Sequence, residues 1–191
     1  MLNNPKKLFI ITAVVIVLVA VFFILERTKI SPEVFLEAST DKMFYESGEE
    51  VVLSVSWTNS GSVDTCVSDM DAGSIRFISF TRDGEQVETR SAPSYFITSF
   101  IEMLEVSLKT VVPGESMDIV MVSRVDPGLG RQALRTTTLE DGRGIGMFYD
   151  VETPGDYNLE LIYEYPGPPF AGCPSIFQGA TNIVRATFTV N

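Results

Sequence analysis

The chain reads as an all-β sandwich of about seven to nine strands preceded by a single transmembrane helix, and three observations lead there. Leu8 to Leu25 is an 18-residue run whose only polar member is Thr12. Beyond residue 33, short runs alternate apolar with polar residues, as half-buried strands do. Clusters of Gly, Pro, Asn and Asp separate these runs at fairly regular intervals, the punctuation of a sandwich.

The amino-terminal run comes first. An 18-residue helix rises about 27 Å, close to the ~30 Å of a hydrocarbon core, and a helix satisfies its own backbone groups in lipid. A cleaved signal peptide is the alternative, but the run exceeds the usual apolar region and Phe22 to Arg27 offers no small-residue cleavage site. Lys6 and Lys7 precede the run, while Arg27 and Lys29 follow it together with Glu26 and Glu33. The bias of positive charge favours a cytoplasmic amino terminus. The expected division is a cytoplasmic tail 1–7, a transmembrane helix 8–25, a tether 26–33 and an extracytoplasmic domain 34–191. A single-pass location in the cell membrane follows.

Three of the 14 basic and one of the 25 acidic residues lie in 1–27, which leaves the remainder with a net charge of about −13. Such a surface repels phosphate, so nucleic acid is excluded as a partner. The chain has no histidine. That removes the usual general base, the Ser-His and Cys-His nucleophile pairs and the commonest zinc ligand.

Val34-Phe35-Leu36 opens the first strand. Val51, Leu53, Val55 and Trp57 alternate with Val52, Ser54, Ser56 and Thr58, which makes one face fully apolar until Asn59-Ser60-Gly61 ends the strand. Trp57, the only tryptophan, belongs in the core. Ile75 to Phe80 is the next strand, and Asp83-Gly84 turns it into Gln86 to Thr89. Val106 to Val112, Met117 to Val122, Gly146 to Val151, Tyr157 to Tyr165 and Asn182 to Val190 complete the set, with Pro113-Gly114 and Pro154-Gly155 as turns. Phe96, Phe100, Met103 and Leu104 recur at helical spacing opposite Glu102 and Glu105, which predicts a short helix crossing between sheets. Arg131 to Gly144, polar and rich in Thr and Gly, is expected as a long loop or an edge hairpin. Gly155-Asp156-Tyr157, just before Leu159, has the pattern of a tyrosine corner.

Three stretches carry a resemblance when taken together. They are Tyr45-Glu46-Ser47-Gly48-Glu49 ahead of Val51 to Asn59, Val112-Pro113-Gly114-Glu115-Ser116, and Pro154-Gly155-Asp156-Tyr157-Asn158-Leu159. They resemble prokaryotic immunoglobulin-like sandwich modules, in particular the family of the Bacillus-type intracellular proteinase inhibitor. The stretch from Thr40-Asp41-Lys42 to Gly48-Glu49 is similar to the opening of macroglobulin-type domains. The resemblance implies an immunoglobulin-like fold and, more remotely, proteinase inhibition. The chain departs from it in its membrane tether, its two cysteines and its long loop from Pro166 to Thr181.

Cys66 and Cys173 are the most specific constellation. Outside the cytoplasm two cysteines without a CxxC partner or a histidine form a disulfide. Placed in two sandwich loops, they would stiffen the apolar stretch Tyr165 to Gly172 and hold Phe170, with Pro168 and Pro169, ready to dock a protein. Asp69-Met70-Asp71-Ala72-Gly73 has the alternating carboxylates of a calcium loop, with Asp69 and Asp71 as ligands, although no Glu completes the pattern. No other cofactor is expected. Gly142-Arg143-Gly144-Ile145-Gly146 runs on into a strand instead of opening a helix, which argues against a phosphate cradle. Ser39-Thr40-Asp41-Lys42 has the Ser-x-x-Lys spacing of penicillin-recognising enzymes but no helix to present Ser39.

The sequence thus predicts a membrane-anchored extracytoplasmic binding module rather than an enzyme, with a protein partner that is itself membrane-embedded. A proteinase-inhibitor-like domain, a membrane-anchored hydrolase using carboxylates and a structural envelope subunit are the alternatives.

Overall fold

The computed structural model describes residues 34–93, 99–140, 143–173 and 175–191. The expected tail 1–7, transmembrane helix 8–25 and tether 26–33 lie outside the described residues, as does Phe96. Among the described residues no helix is long and apolar enough to cross a membrane. The domain itself is an all-β sandwich.

One layer starts with β1 (Val34–Thr40), β3 (Val52–Asn59) and β9 (Ser116–Val122), antiparallel in that order. Period-two alternation in β3 sends Leu53, Val55, Trp57 and Asn59 fully inside and leaves Ser54, Ser56 and Thr58 half-buried on the other face. After a single residue, Ser123, β9 continues as β10 (Arg124–Asp126). Ser123 is buried and bonded to Val51 in both directions, accepting from its N–H at Oγ (2.8 Å) and donating to its carbonyl (2.9 Å). These bonds hold the strand where it passes from one sheet to the next. There β10 pairs with β11 (Arg131–Glu140), followed by β12 (Arg143–Asp150) and β7 (Thr89–Pro93).

The facing layer is β2 (Phe44–Tyr45), β14 (Val184–Val190), β13 (Gly155–Tyr163), β5 (Ile75–Arg82) and β6 (Glu85–Gln86), in that spatial order. All its neighbours are antiparallel except β2, which runs parallel to β14. Asp83 and Gly84 both have positive φ, 52° and 83°, as the tight β5–β6 hairpin requires. Two short strands, β4 (Thr65–Ser68) and β8 (Leu108–Val111), form a separate ribbon. A single turn, α1 (Asp71–Ser74), and the helix α2 (Ser99–Val106) complete the domain.

The core lies between the layers. Trp57 is fully buried, edge-on to Tyr163 at 6.2 Å and to Phe177 at 6.1 Å, so the sequence assignment holds. Tyr157 stacks on Phe188 at 4.7 Å and donates its hydroxyl to the Thr153 carbonyl at 2.5 Å, which is the corner its motif predicts. Asn182 closes the open edge of β1, since its side chain accepts from Leu36 N–H (3.2 Å) and donates to the Leu36 carbonyl (3.3 Å). That reciprocal pair replaces a missing ladder partner.

Several sequence expectations need correction. Residues 131–140 and 143–144 are strand, and the pair does not lie at an edge, because β11 and β12 are the two interior strands of their sheet. Gln132, Ala133 and Leu134 are buried in succession, so no alternation marks the strand, and the β-branched Thr136 and Thr137 are buried there too. Gln86 to Thr89 is not one strand, because Val87 turns into the core and the chain crosses to the other layer. Helix α2 runs through Val106, so β8 begins at Leu108. The described residues contain fourteen strands, more than the expected seven to nine, since short pieces such as β2, β4, β6 and β10 lack readable alternation.

Candidate functional site

Strand β1 begins opposite the last residue of β3, Val34 facing Asn59, and this end of the sandwich gathers the most distinctive residues. Asn59 is fully buried because its side-chain amide supplies the turn beyond it. It donates to the carbonyls of Val63 (2.7 Å) and Val111 (2.9 Å) and accepts from Gly61 N–H (3.0 Å). This fixes the β4–β8 ribbon to the end of the sandwich. The last long loop then lies along β4, with Cys66 N–H donating to the Ser175 carbonyl (3.1 Å) and Phe177 N–H to the Cys66 carbonyl (3.2 Å).

Cys66 and Cys173 form the predicted disulfide, and both are buried. One part of the expectation fails: Cys66 sits on strand β4 opposite Thr110, not in a loop. The pairing survives because the loop carrying Cys173 docks onto that strand's open side. A tight turn follows from Cys173 N–H donating to the Phe170 carbonyl (3.0 Å). The Phe170 ring lies over Gly172, where a Cβ would stand 2.5 Å from it, so no larger residue fits without moving the ring. Phe170 remains 36% exposed, and Pro168 and Pro169 are exposed beside it.

Beneath this loop the side chains are aromatic. Tyr163 is buried, and its phenol oxygen accepts from Ser68 N–H (2.9 Å) while burial pushes its pKa up. Burial also raises the pKa of Tyr165, with the nearby Glu105 charge adding to it. Next to the ribbon, Met103 (44% exposed) and Val106 (81% exposed) join Met70 in a shallow groove of about 600 Å³ edged by Asp69, Glu102 and Lys109. The sequence pattern assigned Met103 to the buried face of the helix. Among the described residues of this stretch, Phe100 and Leu104, one turn apart, reach the core.

The remaining sequence candidates do not assemble. Asp69 faces Lys109 at 3.9 Å, and Asp71, itself exposed, opens the turn α1. No three metal-ligating side chains stand together among the described residues. Ser39 lies on β1, whereas the ammonium of Lys42 pairs with Glu49. Residues 143–146 belong to β12, as the strand reading required. The buried carboxylates are already engaged. Asp150 accepts from Arg131 (2.9 Å) and from the N–H groups of Glu152 and Thr153, with Arg82 3.6 Å away. Asp126 takes a bidentate pair from Arg90, which holds its carboxyl below the usual range, and two backbone N–H bonds from Gly128 and Leu129. Both carboxylates hold loops in place.

No protein-family model and no curated protein matches this chain. Among solved structures it is similar to AvmM, which catalyzes macrocyclization in alchivemycin A biosynthesis, with a TM-score of 0.35 and 11% identity over 84% of this chain and 90% of that one. It is also similar to the seventh ScaB type I cohesin from Pseudobacteroides cellulosolvens, with a TM-score of 0.21 and 14% identity over 82% and 92%. Likeness at this level does not bear on what the chain does.

Proposed function

We propose that this chain is a membrane-anchored, extracytoplasmic binding module on an immunoglobulin-like sandwich, and that it captures a protein partner through the cystine-linked end around Phe170. The observation that carries the reading is the exposed Phe170, held by Cys173, Gly172 and two prolines at the end of the sandwich where β1 begins. An aromatic side chain ordered in advance loses little freedom on docking. The immunoglobulin-like assignment is supported by the parallel pairing of β2 with β14 and by the tyrosine corner at the start of β13. The anchor rests on the 18 apolar residues from Leu8 to Leu25, and a cystine suits an oxidising compartment. The tether 26–33 reaches at most about 28 Å when fully extended, which favours a partner that is itself embedded in the membrane. Binding rather than catalysis is supported by the lack of histidine and by buried carboxylates already spent on arginines.

The test is capture of the partner from native membranes by the wild-type chain and by Phe170→Ala. The substitution is expected to weaken capture by about 1–3 kcal/mol, as for an aromatic hot spot, with the thermal midpoint unchanged. Unchanged capture, or an unfolded variant, would reduce the loop to a staple and put the binding face elsewhere.

A further inference from the structure

Among the described residues, every other lysine and arginine whose side chain is described closes an ion pair to a carboxylate, but Arg124 and Arg135 close none. In a chain of net charge −11 that is unexpected, because acids outnumber bases and carboxylates are abundant. Both arginines line the same crevice, a space of about 460 Å³ alongside β9, β10 and β11. Its apolar wall is Val120, Val122 and Val125, all three exposed. The aromatic part is Phe148, which the pairing register places between Arg135 on β11 and Arg90 on β7. The guanidinium carbons stand 5.6 Å and 4.8 Å from the ring centre, respectively. Gly146 leaves room for this arrangement, since a Cβ there would meet the Phe148 ring at 3.3 Å and Arg135 Nε at 3.5 Å.

The acids at the crevice are already engaged. Asp126 is held by Arg90 and two backbone N–H groups, and Asp71 at the margin is not without a partner. Two cations without acidic partners among the described residues, beside exposed valines and an aromatic ring, match one kind of ligand. The negative end would take bidentate bonds from Arg124 or Arg135, and the apolar body would cover Val120, Val122 and Phe148. The volume lies in the range of small-molecule sites, roughly 300–1,000 Å³.

We propose that this crevice binds a small amphipathic carboxylate, with Arg124 and Arg135 holding the carboxylate and the Phe148–valine wall holding its apolar body. The site is separate from the Phe170 surface and stands or falls independently of it. No covalent step is involved.

The experiment measures saturation-transfer NMR on the full chain in lipid nanodiscs, with phenylpropionate as the probe and uncharged phenylpropionamide as its control. Wild-type protein is expected to bind the carboxylate at least tenfold more tightly than the amide. Arg124→Gln with Arg135→Gln should remove that preference while leaving the thermal midpoint in place, since both side chains are exposed. Phe148→Leu should weaken both probes together. Equal binding of carboxylate and amide would overturn the proposal, and so would a preference that persists in the double variant. Displacement of phenylpropionate by inorganic phosphate at comparable concentration would also overturn it, because the crevice would then be a plain anion patch.

Discussion

Removing the disulfide by the paired substitution Cys66→Ala and Cys173→Ala tests how much of the domain's stability comes from closing its longest loop. The two cysteines are 107 residues apart. A cross-link closing a loop of that length removes about 4.7 kcal/mol of chain entropy from the unfolded state at 25 °C. The backbone bonds from Cys66 to Ser175 and Phe177 survive the substitution, but they exist only after folding and cannot replace that restriction. At about 2–4 °C per kcal/mol for a domain of this size, the thermal midpoint should fall by roughly 9–19 °C. Emission from Trp57 is the assay, because it is the only tryptophan, is fully buried and packs against Phe177 on the same loop as Cys173. Loss of the loop alone would alter the emission before the main transition, whereas global unfolding changes it in one step. A fall of less than about 3 °C would refute the entropic account and mean that docking of the loop on β4 already supplies the restriction.

Trp57→Ala should destabilise the domain by about 3–5 kcal/mol, the cost of emptying a large aromatic site, when measured by denaturant unfolding followed by circular dichroism. A loss below about 0.5 kcal/mol would contradict its burial. Burial raises the pKa of Tyr45 and of Tyr157 from the ordinary 10 to about 12, the bond from Tyr45 to Asp41 adding to the first. Between those values the unfolded chain releases protons that the folded chain keeps, so stability should fall as pH rises from 10 towards 12. Thermal midpoints measured across that window should decline, less steeply in Tyr157→Phe, and a flat profile would refute the assignment.

The local features of the fold were legible in the sequence because each depends on neighbours in the chain. Alternation placed Trp57 inside, the Asp83-Gly84 pair marked a hairpin, and Gly155-Asp156-Tyr157 marked the corner. The interior position of β11 and β12 is hidden in the sequence where strand residues are buried on both faces, which erases the period-two signal. Cys66 reads as a loop residue because β4 is only four residues long, too short to show a pattern.

By itself the sequence determined which residues turn inward and where the chain reverses. Backbone geometry sets both over a span of a few residues, through the period of a strand and the φ angles that glycine allows. Only the tertiary structure decided which strands are neighbours. Arg124, Arg135 and Phe148 lie on three strands, and pairing of β10 with β11 and β11 with β12 is what brings them to one crevice. Phe170, Cys66 and Val34 likewise come to one end through contacts far apart in the chain. Such pairings are selected by the packing of whole layers, because a register that buries one strand's apolar face must at the same time bury those of its partners.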